Sequence, residues 1–239
     1  MDFAAVSGQT RLGRCLRLPL RLVPKSAVVP VLCGPLRGAK WIAGSLTHGC
    51  WAGTFEYNKQ RLFASLINPD SVVYDIGANV GFYSLLAARR GAHLTVACEP
   101  DPANVFILRR HIELNSVSTV TVEQAAVCEV EGFEGFRRNR DMGTLGGSGH
   151  KVKTITLDSL LLRYPAPTLV KIDVEGAEWR VLQGATKALK YHPTVFVAFD
   201  DPEHTKEPGT DLMVRHGYDY QEISGNELLF RRRGGMTKK

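Results

Sequence analysis

The chain has 239 residues, 44% of them hydrophobic and 23% charged, enough apolar material for one sizeable core and an ordinary charge load for a globular protein. No stretch approaches the roughly 18 uninterrupted apolar residues of a spanning helix. Five cysteines without a CxxC pair argue against a disulfide framework or a zinc ribbon and fit a reducing, cytoplasmic setting.

The net charge of +6 is unevenly spread. After Asp2 the next acid is Glu56, and the chain ends in the basic "RRRGGMTKK". Over residues 11–23, Leu12, Leu16, Leu20 and Val23 share one helical face, while Arg11, Arg14, Arg17 and Arg21 share another. Such a stretch suits peripheral contact with a membrane surface, and its acid-poor start resembles a mitochondrial presequence. Pro19 interrupts it, and a solvated basic extension explains it equally well. No apolar h-region follows Met1, so no secretory signal is expected. Residues 1–55 read as a basic extension and lead-in, 56–232 as the main domain, and 233–239 as a basic tail.

From Ser71 onward strands and helices alternate, the signature of a mostly parallel sheet covered on both faces. "SVVYDI" is the first strand and "VGFYSLLAARR" its helix. "AHLTVACE" is the second strand. Asp101 then caps a helix that has Pro102 at its first position and runs to Asn115. "TVTVEQAAV" is the third strand. The segment "CEVEGFEGFRRNRDMGTLGGSGHKVKTITL" begins and ends with strand-like alternation around a glycine-rich middle. "TLVKIDV" is the fourth strand, "GAEWRVLQGATKALK" its helix, and "PTVFVAFD" the fifth strand. A short helix is expected near "DLMVRHG". "YDYQEIS" and "NELLFRR" then form an antiparallel hairpin around Gly225 and Asn226, giving a mixed sheet.

The chemistry concentrates in "VVYDIGANVGFYSLLAA". A glycine-rich turn between strand and helix usually cradles a pyrophosphate, but Asp75 at the strand tip would repel one. A cationic nucleoside turns that repulsion into attraction, and S-adenosylmethionine carries an ammonium and a sulfonium and no phosphate. Glu99, ending the second strand, stands at the spacing of a ribose-binding acid.

The residues "VVYDIGANVGFYSLLAA", "CEPDPAN", "AAVCEVEG", "ITLDSLL" and "LVKIDVEGAEWRVLQGA" resemble the FkbM-type methyltransferases, a branch of the class I S-adenosylmethionine-dependent enzymes. The resemblance runs from about Val31 to about Asp200. It implies a Rossmann-like α/β fold with a seven-stranded sheet, and O-methylation of a small molecule, sugar or glycan. It also implies donor contacts at Asp75, Gly77, Ala78, Asn79, Gly81 and Phe82. Further donor contacts fall at Glu99 and Pro100, at Ala125 and Ala126 beside the adenine, and at Asp173 beside the methyl. Gln124 and Asp200 depart from the family pattern, where Asn and Glu are expected.

Removing a proton from an acceptor hydroxyl calls for a base, and Asp173, Glu175, Asp200 and His204 all lie at or after strand ends on the ligand side. Asp173, Glu175, Asp200, Asp201 and His204 can also be read as ligands of a divalent cation, although their spacing matches no metal motif. The basic, glycine-rich segment 137–150 is the candidate substrate lid. Trp41, Trp51, Phe55 and Tyr57 are candidates for an aromatic wall, or plain packing. Two competing readings are a nucleic-acid methyltransferase and a non-enzymatic binding module. "DVEG" stands where base methylation usually needs Asn/Asp-Pro-Pro-aromatic, which argues against nucleic acid.

Overall fold

The computed structural model describes residues 22–139, 142–146 and 148–234. The amphipathic stretch 11–23, save its last two residues, lies outside the described residues. So do the tail from residue 235 and Arg140, Asp141 and Gly147 of the expected lid.

Strands β1 (Val28–Pro30) and β2 (Lys40–Ile42) pair antiparallel ahead of two helices, His48–Ala52 and Tyr57–Ser65. Strand β3 (Val72–Ile76) follows, then the helix Phe82–Arg89, β4 (Leu94–Cys98), the helix Pro102–Leu114 and β5 (Val120–Glu123). Every residue of β3 is buried, as expected of a central parallel strand covered on both faces. The helix Pro102–Leu114 starts as its sequence demands, with the Asp101 side chain accepting from the Ala103 amide and Pro102 in the first turn.

The expected third strand is divided. Its first part is β5, which pairs with β4 and forms an edge of the large sheet. The chain then turns at Gln124, and β6 (Ala126–Val127) joins a second sheet. That sheet contains β7 (Gly132–Asn139), β8 (Met142–Leu145) and β9 (His150–Ile155), in the order β6-β9-β7-β8. The segment expected to be a flexible lid is thus largely strand: β7 and β8 pair antiparallel from Phe136↔Leu145 to Asn139↔Met142.

Strand β10 (Leu169–Ile172) re-enters the large sheet. The helix expected after it is shorter, Glu178–Gln183, and a separate 3-10 turn covers Ala188–Tyr191. Strand β11 (Thr194–Ala198) leads into a helix longer than expected, Pro202–Arg215, which runs through Pro208. The hairpin of β12 (Tyr218–Ser224) and β13 (Glu227–Arg232) closes the fold as the sequence predicts.

The large sheet has the order β12-β13-β11-β10-β3-β4-β5, parallel from β11 to β5 and antiparallel at its hairpin edge. This is the mostly parallel seven-stranded architecture that the sequence implies. Alternate residues of β3 feed two cores. Tyr74 and Ile76 pack with Ile172, Leu182, Val197 and Phe230 on one face. Val73 packs on the other with Leu85, Leu86, Phe63 and Trp41. The lead-in therefore shares a core with the helix Phe82–Arg89.

Candidate functional site

The chain leaves β3 for β4 and β5 on one side, then returns to β10 and β11 on the other. The ends of β3 and β10 are therefore the switch point at which open α/β sheets bind ligands. A cavity of about 1180 Å³ opens there. It exceeds the roughly 300–1,000 Å³ of a typical ligand site, leaving room for two reactants. Gly77, in its rim, has φ +78°, and a Cβ there would overlap the Asp173 carbonyl oxygen. The glycine is required because two strand-end loops touch.

One end of the cavity is charged. Asp75, the penultimate residue of β3, is fully buried; it accepts from the Ser84 hydroxyl at 2.6 Å and lies 3.5 Å from the Lys171 ammonium. Lys171 stands beside it in register on β10 and reaches Asp173 at 3.2 Å. A second buried cation, Lys59, bridges Glu227 at 2.6 Å, Glu56 at 2.7 Å and Asp173 at 3.9 Å. The Tyr83 hydroxyl donates to Glu56 at 2.6 Å. Burial alone would lower the Lys171 ammonium, but Asp173 and Asp75 outweigh it and hold it above its usual range. Burial likewise acts to raise the Asp173 carboxyl, yet the two lysines hold it below the ordinary carboxylate value.

Glu175 and Asp200 also line this end, but neither has a cationic partner within salt-bridge distance in the described residues. Glu175 is held at φ +57°, a strained conformation for a side chain of this size, and its amide donates to Asp200 Oδ2 at 3.2 Å. Burial, reinforced by Asp200 and Asp173, pushes Glu175 up to about 7. Asp200 is raised too, by burial and then by Asp173. Glu178, by contrast, accepts from the Gly176 amide at 2.9 Å and so braces the turn.

The other end lies under the tips of β4 and β5. Glu99 is buried, with Oε2 accepting from the Asn79 amide and Oε1 from the Asp101 amide, both at 2.9 Å. Burial pushes it up to about 7, against those hydrogen bonds. Asn79 is itself left-handed, at φ +50°, which turns its amide onto Glu99. Beyond Glu99 and Pro100 the lining becomes apolar: Ala125, Ala126, Val127, Phe136 and Leu145.

Most of the residues singled out in the sequence meet in this cavity, namely Gly77, Ala78, Asn79, Phe82, Glu99, Pro100, Ala125, Ala126, Asp173, Glu175 and Asp200. Three of the donor and base candidates do not line it. Asp75 is one residue short of the strand tip and pairs with Lys171; Gly81 packs on Leu108; His204 is 76% exposed at its side chain and pairs with Asp201 on the helix Pro202–Arg215. The alternative reading of these acids as cation ligands finds no support: among the described residues no three His, Cys, Asp or Glu side chains are placed to hold a metal. Of the aromatic wall only Phe55 faces the cavity, edge-on to Phe82, while Trp41 stacks on His111 in the core and Trp51 is buried.

The sequence reading missed Lys59, Lys171 and Phe136. Lys171 was detectable, since a lysine inside the buried run "LVKI" requires a partner. Lys59 carries no such signal in "EYNKQRL".

The fit to a cationic nucleoside can be judged from these side chains. Glu56, Glu99, Asp173, Glu175, Asp200 and Glu227 line the cavity against only Lys59 and Lys171, and no arginine lines it among the described residues. A flat base at the apolar end, a ribose at Glu99 and positive charge at the acidic end match this polarity.

Comparison with known proteins agrees. A family model described as the methyltransferase FkbM domain matches residues 75–220, more than half of the chain. A hexuronic acid methyltransferase, AglP of Haloferax volcanii, is 29% identical over 141 residues, covering 54% of this chain and 56% of the relative. A ribosomal protein L11 methyltransferase of a Thermoanaerobacter species is 32% identical over 72 residues, covering 29% of this chain and 23% of the relative. The chain thus spans little more than half the length of one curated relative and under a quarter of the other. Among solved structures, a methyltransferase FkbM from Methylobacillus flagellatus superposes with a TM-score of 0.50 at 19% identity, covering 77% of this chain and 53% of that one, a likeness of fold.

Proposed function

The chain belongs to the FkbM methyltransferase family, and from that premise we propose that it catalyses S-adenosylmethionine-dependent methylation of a hydroxyl on a small molecule, sugar or glycan. The observation that carries this reading is the polarity of the cavity: six acids against two lysines at the switch point of the sheet. When bound, the donor supplies a methyl carbon already activated by its sulfonium. Glu99 would accept from the ribose hydroxyls. Asp173, kept ionised by Lys171 and Lys59, would face the donor's cationic end.

The acceptor's proton needs a base that is ionised near neutral pH yet not neutralised by a lysine. Asp173 fails the second condition, as do Glu56 and Glu227, and His204 lies outside the cavity. Glu175 meets both, with Asp200 as its neighbour. Charge repulsion between the two carboxylates favours proton uptake by either one. The similarity over 141 residues to a hexuronic acid methyltransferase supports a sugar as the acceptor. Nucleic-acid methylation finds less support, because Val174, Glu175 and Gly176 follow Asp173 where a stacking aromatic would be needed.

The test is transfer of label from methyl-labelled donor to a panel of uronic acids, neutral sugars, RNA and protein fractions. Label entering an alkali-stable ether on a sugar supports the reading; label confined to RNA or protein contradicts the sugar assignment.

A further inference from the structure

We propose that the β7–β8 hairpin forms the adenine-side wall of the donor site, with Phe136 setting the size of base that fits. The inference rests on the donor reading above and adds a residue that none of the methyltransferase motifs contains.

Strand order fixes the geometry. Across the sheet from β11 to β5, the cavity is lined in turn by Asp200, Asp173, Gly77, Glu99 and Ala125. Charge is concentrated at the β10–β11 end, and the ribose acid sits at β4. A flat apolar base can therefore lie only past Glu99, on the β5 side. The large sheet supplies little there, because β5 is its edge and the chain turns away at Gln124. What closes that side comes from the second sheet: Phe136, Gly143 and Leu145 all line the cavity, and Ala126, Phe136 and Val152 form a buried cluster with Leu145 packed on it. Arg138 on β7 reaches Asp101, the cap of the helix after β4, at 3.1 Å, which ties the hairpin to the Glu99 side of the cavity.

Phe136 is held in this position. It is 5% exposed, and its ring meets His150, its register partner on β9, edge-on at 5.5 Å. On β8, Gly143 is paired with Arg138 and lies diagonally across from Phe136. A Cβ at Gly143 would overlap the Phe136 ring, so glycine is what lets the ring cover that strand. On the other face of the sheet, Phe133 is 74% exposed and takes no part in the cavity.

The experiment is calorimetry on the full chain with two ligands, S-adenosylhomocysteine and an analogue of it carrying a benzyl group on the adenine N6. Base–aromatic contact of this kind is worth enough that Phe136→Ala should weaken S-adenosylhomocysteine about tenfold. The same variant should admit the N6-benzyl analogue, which the parent rejects, a gain that mere loosening of the fold does not give. Phe136→Leu, which keeps the core filled, should lose several-fold in affinity, and Phe133→Ala should bind as the parent does. If Phe136→Ala and Phe136→Leu both bind S-adenosylhomocysteine within twofold of the parent and still reject the analogue, the proposal is overturned while the donor reading stands. A parent that binds neither ligand overturns both.

Discussion

The two ends of the cavity are built by different means. The charged end is built around the large sheet: Lys171 on β10 and Glu227 on β13 are placed by strand register, Asp173, Glu175 and Asp200 follow the ends of β10 and β11, and Lys59 comes from the helix Tyr57–Ser65. The apolar end is closed by an added hairpin that belongs to a separate sheet and is tied by Arg138 to Asp101, the cap of the helix after β4. The first kind of site is rigid and strongly coupled, so a change at one residue is felt by several. The second can change shape without disturbing the core, which makes it the natural place for ligand selectivity to vary.

The largest expected effect comes from breaking the charged end. Lys171 neutralises both Asp75 and Asp173 from a buried position. Lys171→Met leaves Asp75 buried without a counter-charge, and loss of one partner of a buried pair costs about 3–5 kcal/mol. Urea unfolding should show a loss of that size. A loss under 1 kcal/mol would mean that the buried Asp75 does not depend on Lys171 for its place in the fold.

Next in size is the base. Glu175→Gln should lower turnover about a hundredfold while donor binding changes little. Because Glu175 is raised to about 7 and acts ionised, turnover of the parent should climb with pH below that value and level off above it. A pH-independent rate between 5 and 8, or an Asp173→Asn variant that loses turnover with donor affinity unchanged while Glu175→Gln does not, would return the role to Asp173.

A smaller effect is expected at Glu99, where the two ends meet. Glu99→Gln keeps the shape and removes the charge that strengthens bonds to ribose hydroxyls, so S-adenosylhomocysteine should bind about tenfold more weakly. Unchanged affinity in a variant with the parent's melting temperature would move the ribose elsewhere. The smallest effect is at His204, which lies outside the cavity. His204→Ala should turn over within twofold of the parent, and a tenfold loss would show that the helix Pro202–Arg215 moves into the site.

The same contrast explains what the sequence made legible. Strands β3, β4, β10 and β11 announce themselves as apolar runs ending in acids, and Asp101–Pro102 marks a helix start by local chemistry alone. Hence the sheet, its closing hairpin and the motif loops could be read from the chain. The hairpin of the second sheet could not be. Its glycines read as those of a flexible lid, yet Gly143 is needed because an aromatic ring lies across its strand. The break at Gln124 was hidden for a related reason: Ala125, Ala126 and Val127 continue an apolar pattern, but pairing with β4 ends at Cys98↔Glu123, and Ala126 and Val127 pair with β9 instead. Lys59 escaped because its burial depends on two acids brought from distant positions, Asp173 and Glu227, beside its near neighbour Glu56. The helix Pro202–Arg215 looked short because Pro208 reads as a stop, whereas the chain keeps its helical path through it.

The central claim is that one cavity joins an acidic end to an apolar end and so selects a cationic nucleoside over a phosphate-bearing one. Side-by-side calorimetry of the full chain with S-adenosylmethionine and with NAD tests it most directly. The account predicts saturable binding of the methyl donor with no measurable heat from NAD. NAD binding as tight as or tighter than the donor would contradict it.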